Sequence, residues 1–480
     1  MDAGRPGACR TRVTLLRRRR RGRKIHCRSQ QALRSVPSNG ARSRTALDDH
    51  GRGALVTDRE LYAYLDGQLA GRFVQSSSGN ITFTYDPEYR AAADATPVSL
   101  SMPVATAVHK KRAALPWLEG LLPDSDEALR ALSRRFQTSA RNPFALLEHI
   151  GTDAAGAVQL LPPGHSPSDA GLRKAIRPVT ELDVARMLDR VVLEYSEGTP
   201  DYGPTGRFSL AGAQPKIALH RLASNEWAVP EDATPTTHIL KPVVGAFRRL
   251  DVVEQLTLRA AENLGNRVAR SEIIRIGDWD VLASERYDRR EADGTWHRLH
   301  QEDLCQALSV SPARKYQHRD GGPGIAAVAN LVRSLPLAAD RERVGVDFFR
   351  AFVFNVVAGC TDAHAKNYSL LLEGRSAHLA PLYDLLTYAG YWDGAARIDS
   401  AMSVDGEYAF GRISAGALAK VGTRFGLALS AAEDIVQRNR QDMVEAFESA
   451  RASLPDLGAE ANRVADDVLG GVRKLPLVLP

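Results

Sequence analysis

The sequence predicts an α+β protein in which a small mixed lobe precedes a large helical lobe and a separate α/β subdomain stands in front of both. Three observations lead there. Between Gln214 and Arg289 the apolar pattern runs strand, strand, strand, helix, strand, strand. From about Leu299 onward the spacing is helical almost throughout. Upstream of a Pro/Ser/Gly-rich link at Pro162–Asp169, alternating strands give way to helices. A chain of 480 residues is also too long for one compact core. The expected parts are an extension at 1–53, an N-terminal subdomain at 54–165, a small lobe at 166–298 and a large lobe at 299–480.

Taken in order, the first stretch carries "RRRRRGRK" at Arg17–Lys24 and shows no apolar periodicity, so disorder is expected. It holds about 15 basic and 3 acidic residues, so about +12 of charge sits there and the rest of the chain is near −6. The basic balance therefore gives no ground for nucleic-acid binding by the folded part. The stretch reads as a solvated extension, with a nonspecific nucleic-acid arm or a targeting peptide as alternatives. "LYAYLDGQLAGRF" alternates around Asp66-Gly67, a hairpin signal, and "NITFTYDPEY" is a further strand. "LPWLEGLLPDSDEALRALSRRF" and "RNPFALLEHIG" read as helical segments, the second with Asn142 as cap and Pro143 at the first position. "GAVQLLP" closes this part.

The mixed lobe consists of "QPKIALHR" and "NEWAVP" about a turn at Ser224-Asn225, then "THILKP", the helix "DVVEQLTLRAAENLGN", and "SEIIRIG" and "WDVLASERYDR" about Gly277-Asp278. The helical lobe follows as "QEDLCQALSV", "GIAAVANLVRSL", "DRERVGVDFFRAFVFNVVAG", "SAGALAKVGTRFG" and "SAAEDIVQRNRQDMVEAFESARASL", interrupted by the hairpin "YSLLLEGRSAHLAPLYD". The sequence contains no long apolar run, so no membrane span is expected. Cys9, Cys27, Cys305 and Cys360 form no CxxC pair, which argues against a disulfide framework or zinc site and fits a cytoplasmic protein.

Chemistry concentrates in "TDAHAKNYSLLL". Asp362 and Asn367 have the D-x-x-x-x-N spacing of a kinase catalytic loop, in which the carboxylate faces the attacking hydroxyl and the amide oxygen binds Mg²⁺. Chance yields the four fixed residues of D-x-H-x-K-N in a chain this long at roughly 0.3%. Asp384, just after the hairpin, stands where a second metal-binding Asp belongs. Lys241 ends "HILK" at the place of the phosphate-gripping lysine, and Glu254 lies one helix later as its partner. "SLAGAQPK" supplies a small-residue loop for phosphate, with Ala211, Gly212, Ala213 and Gln214 at its centre. Glu285, Arg286 and Tyr287 would form the hinge that reads adenine. The whole predicts a protein-kinase-like fold.

These pieces resemble the HipA family, the kinase toxins of bacterial type II toxin–antitoxin modules. The likeness spans about Leu61 to Ser453 and is carried by "SLAGAQPKIAL", "HILKP", "ERYDR", "RLHQEDLCQALSV", "GGPG", "TDAHAKNYSLLL" and "LAPLYDLL", with "WLEGLLPD" and "GTDAAGAVQLLP" upstream. The resemblance implies ATP with Mg²⁺, serine/threonine protein kinase activity, and a HipB-like helix-turn-helix antitoxin that brings operator DNA. It implies a protein substrate, with glutamyl or another aminoacyl-tRNA synthetase as the known class. It assigns Asp362 as catalytic, Asn367 and Asp384 as the metal pair, Lys241 as the ATP lysine, His364 and Lys366 to the phosphate region, and Ser209 as an autophosphorylated serine. Cys360 stands where many members carry Asn, and the Arg-rich extension has no counterpart.

Simpler readings accompany each residue. His364 is a packing imidazole, Lys366 contacts phosphate or balances Asp362, "RLHQED" starts a helix, and "YQHRDGGPG" is a surface loop. Two rival functions remain at this level: a small-molecule or lipid kinase, and a non-catalytic co-repressor held by an antitoxin on DNA.

Overall fold

Alternation about Asp66-Gly67 builds the first hairpin, Arg59–Leu65 with Gln68–Gln75, in a computed structural model that describes residues 58–167, 176–198, 209–230, 234–245 and 247–479. The Arg-rich stretch lies outside the described residues. The hairpin sits in a five-stranded sheet with Ile81–Tyr85, Val108–His109 and Val158–Leu161. Leu61, Phe73 and Phe83 point to one face, where Trp117 stacks on Phe73 at 5.5 Å. Asn142 caps the helix Pro143–Ile150 through the Ala145 N–H, as expected.

The predicted helical segment upstream is divided. Lys111–Gly120 ends, the chain crosses Leu121–Asp124 as a loop, and Ser125 caps Asp126–Arg135. Pro123, which has no amide hydrogen, and the Ser125 side chain both favour the break.

A second, six-stranded sheet runs in the order Ser271–Ile276, Trp279–Glu285, His238–Pro242, Ile217–Arg221, Trp227–Pro230, Ile176–Pro178. The first five strands match the sequence reading. The strand Ile176–Pro178 and the helix Glu181–Glu197 do not appear in it. The signals were present: Thr180 and Asp183 form a capping box, Val184, Met187, Leu188 and Val191 recur at helical spacing, and Gly198 stops the helix at φ 64°. The helix Leu250–Asn263 packs away from this sheet's small apolar cluster and into the large one formed by the helical part.

That large cluster centres on Ala338–Val357, where Phe348, Phe349, Phe352 and Phe354 are fully buried. Helices Ile325–Ser334, Ala415–Thr423, Leu429–Ala452 and Ala459–Val472 join it. "QEDLCQALSV" corrects the sequence reading. His300–Asp303 is a strand paired with Ser369–Glu373, and only Leu304–Ala307 is helical, capped by Asp303. Ladder pairing with the hairpin outweighs local helix propensity there. Two further hairpins turn at Asp293-Gly294 and Asp405-Gly406, each with two positive φ angles. Among the described residues no helix is long and apolar enough to cross a membrane.

The N-terminal sheet is tied to the rest through Asp153. Its carboxylate takes Arg289 at 2.9 Å, Arg286 and Arg298 at 3.2 Å, and the Thr236 hydroxyl at 2.6 Å. Asp288 holds Arg286 from the other side and accepts the Gly156 N–H. All these charges are buried, and despite the burial that opposes ionisation the three arginines hold the Asp153 carboxyl well below the usual range. Asp153→Ala leaves buried guanidinium groups without their shared counter-charge. We expect a loss of about 3–5 kcal/mol in stability, read from urea unfolding; a midpoint equal to wild type would show that the network holds without it.

Candidate active site

The buried helix Ala338–Val357 stops at Gly359, whose φ of 69° lets the chain reverse into the polar loop. Cys360 N–H closes that turn on Asn355 O at 2.8 Å. Within the loop, the Asn367 side-chain amide donates to the Asp362 carbonyl at 2.8 Å. The D-x-x-x-x-N spacing thus folds its two fixed residues back on each other. The Asn367 amide oxygen is left as an acceptor.

The hairpin that follows delivers Asp384. Leu382 exchanges backbone hydrogen bonds with Arg267 and Ala269, each 2.8 Å, and so pins the hairpin's end beside the mixed sheet. Asp384 itself takes φ 55°. Its carboxylate meets the Lys241 ammonium, which also pairs with Glu254 at 2.8 Å. Burial works against the charge on Lys241, but Asp384 and Glu254 more than compensate and keep it an ammonium. Burial and the Asp384 charge push the Glu254 carboxyl up, while Lys241 and Lys216 hold Asp384 down against its own burial.

These elements line an open cleft. It is lined by Ala211, Gly212, Ala213, Gln214, Lys241, Glu285, Arg286, Tyr287, Asp362, His364, Lys366, Asn367 and Asp384. Of the residues singled out from sequence, only Glu254 and Ser209 stand behind the lining. Glu254 reaches it through Lys241. Ser209 is buried, its hydroxyl donating to Leu121 O at 2.7 Å and its N–H to Asp153 O at 2.9 Å.

Several side chains have partners that the sequence left open. Lys366 does not balance Asp362; its ammonium pairs with Asp124 at 2.9 Å. His364 is buried, lies edge-on to Tyr316 at 4.7 Å, and is pushed down to about 3 by burial and then by Lys315. It is a neutral imidazole. The Arg286 guanidinium is turned into the Asp153–Asp288 network. "YQHRDGGPG" is more than a surface loop, because the Tyr316 hydroxyl donates to the Asp362 carboxylate. Desolvation by the cleft walls pushes the half-exposed Asp362 carboxyl up, and the Tyr316 hydrogen bond opposes it.

Sequence reasoning missed Asp124, Lys216, Lys315, Tyr316 and Tyr383. Lys216 bonds Ala211 O at 2.8 Å and is brought down to about 8 by burial. Gly212 lies beside the Lys216 ammonium at φ 112°, a backbone conformation that other residues rarely adopt, so the loop needs glycine there. Tyr383 braces the Asp362–Asn367 loop through Lys366 O at 2.8 Å and Ser369. Lys216 lay inside the quoted phosphate loop. The others carry no local signal, because their partners are distant in the chain.

Comparison with known proteins agrees with this geometry. Residues 208–448 match the HipA-like C-terminal domain and residues 61–161 the HipA N-terminal domain. A Sinorhizobium fredii protein described as a candidate kinase, Y4mE, is 34% identical over 88% of this chain and all of its own length. The serine/threonine-protein kinase toxin HipA of Shewanella oneidensis is 33% identical over 61% of this chain and 66% of its own. Among solved structures, a chain of the Shewanella oneidensis complex of HipA, HipB and operator DNA superposes with a TM-score of 0.71 at 26% identity, over 86% of this chain and 97% of that one. With both domains matched in order and a relative 34% identical over all of its own length, this chain belongs to the HipA family of protein kinases.

Proposed function

We propose that this chain transfers the γ-phosphate of ATP, with Mg²⁺, to a serine or threonine of a protein, as the toxin of a toxin–antitoxin pair. The observation that carries the reading is the convergence of Lys241, Glu254, Asp362, Asn367 and Asp384 from four separate elements onto one cleft. Residues 166–298 and 299–480 then act as the small and large lobes of a kinase, with 54–165 as the family's N-terminal subdomain.

Bound Mg²⁺ would neutralise phosphate oxygens, and Asn367 and Asp384 present the oxygen donors that fit it. Lys241, kept charged by its two carboxylate neighbours, grips the phosphates. Asp362 accepts the proton of the acceptor hydroxyl, which takes the place of the Tyr316 phenol as hydrogen-bond donor. The loop Ser209–Lys216 covers the phosphates with backbone N–H groups. Glu285, Arg286 and Tyr287 form the hinge that reads the base, without the Arg286 side chain or the Glu285 and Arg286 N–H groups, which are bonded elsewhere. The Shewanella relative was solved with HipB and operator DNA; a HipB-like antitoxin is the partner we propose here. An aminoacyl-tRNA synthetase, glutamyl first, is the acceptor to try, on family resemblance alone.

Three outcomes test this. Asp362→Asn should keep nucleotide binding and lower transfer from labelled ATP by about 10²–10⁴-fold; transfer at the wild-type rate would remove Asp362 as the base. Asp384→Ala should weaken Mg²⁺–ATP far more than metal-free ATP in calorimetry, and equal losses would exclude a direct metal role. The Ser209 hydroxyl must leave Leu121 before it can meet ATP, and a phosphate there adds nearly two negative charges beside the nucleotide. Incubation with Mg²⁺–ATP should therefore add one phosphate by intact mass, absent in Ser209→Ala, and Ser209→Asp should bind ATP poorly. A phosphate mapped to another residue would end that regulatory reading.

A further inference from the structure

The loop Leu121–Asp124 belongs to the N-terminal part, yet it touches both halves of the cleft. On one side it holds the phosphate loop. Leu121 O accepts the Ser209 hydroxyl at 2.7 Å, and Asp124 N–H donates to Gly212 O at 3.0 Å. On the other side it holds the catalytic loop. The two carboxylate oxygens of Asp124 serve different lysines: Oδ1 takes Lys366 at 2.9 Å and Oδ2 takes Lys315 at 2.8 Å. Gly120 O adds a longer contact to Lys366 at 3.4 Å.

Each lysine leads to a catalytic group. Lys366 lies in the short turn Ala365–Asn367, so a fixed ammonium fixes the turn that carries Asn367. Lys315 precedes Tyr316, whose phenol donates to Asp362, and Lys315 O accepts the Ala365 N–H at 3.4 Å. The Asp124 and Lys366 side chains are 9% and 4% exposed and that of Lys315 is 15% exposed, so solvent screens these pairs little. Gly120 leaves room for the Gln306 side chain, which a Cβ there would meet at 2.6 Å.

We propose that Asp124 is a positioning residue for phosphoryl transfer: from the N-terminal part it holds the phosphate loop, the Asn367 turn and the Tyr316–Asp362 pair in one mutual placement. The inference rests on the kinase reading above. It makes the N-terminal part a component of the active centre. A buried ion pair is not in itself a source of stability, so a role in placement must show in the rate. Displacing reacting groups by about 1 Å can cost about 10²-fold in rate.

The test uses the full chain with Mg²⁺–ATP as probe, following ADP release for kcat and KM and thermal unfolding for Tm. Asp124→Asn, folded, should lower kcat by about 10²-fold with KM for ATP within about threefold. Asp124→Glu keeps the charge and shifts the carboxylate by one methylene; its kcat should recover part of that loss. Should Asp124→Asn fail to fold, Asp124→Glu decides alone, with a kcat about 10-fold below wild type expected. A wild-type kcat in the folded Asn variant, or in the Glu variant when it alone folds, overturns the inference. So does a loss that lies in KM alone. A wild-type chain that releases no ADP overturns the kinase reading and this inference with it; normal wild-type turnover with unaffected variants overturns only the inference.

Discussion

The Lys241 ammonium is the point on which the site turns. It lies on a strand of the mixed sheet, Glu254 on the helix Leu250–Asn263, and Asp384 at the end of the hairpin that follows the Asp362–Asn367 loop. Each of the three is costly to bury alone. Together they offset one another, but only if strand, helix and hairpin end come within ion-pair distance. The helix is held by apolar contacts to the helical part, and the hairpin end by its backbone bonds to Arg267 and Ala269. The charge cluster therefore reports that separate packing events have all been completed, and it leaves a charged lysine and an ionised carboxylate facing the same cleft.

A second layer of charge joins the N-terminal part to that centre. Asp153 collects three arginines and Asp124 two lysines. Both aspartates come from loops of the N-terminal part and both counter-ion sets come from the remainder. Non-directional apolar burial would allow these parts to slide. Buried, hydrogen-bonded charges allow one placement, since any shift strands a charge in the interior. Arg286 shows the consequence: it lines the cleft in sequence order yet serves the joint between parts.

Much of the fold was legible because it is local. Period-two alternation about Asp66-Gly67, the Asn142 cap and the apolar run at Phe348–Phe354 each act within a few residues, and each appears as read. The helix Glu181–Glu197 is equally local, with its Thr180–Asp183 capping box and apolar spacing. His300–Asp303 is not, because its partner strand lies near Leu370 and only the ladder distinguishes it from a helix.

The sequence by itself determined the spacing of Asp362, Asn367 and Asp384 and the order of Lys241 and Glu254 ahead of them, because one loop, one hairpin and one strand–helix unit set those relations. Tertiary structure alone decided that Lys366 faces Asp124 rather than Asp362, that Tyr316 donates to Asp362, and that Ser209 is buried against Leu121. Those contacts join segments far apart in the chain. A side chain's partner there follows from which surfaces pack together, and no local propensity encodes that choice.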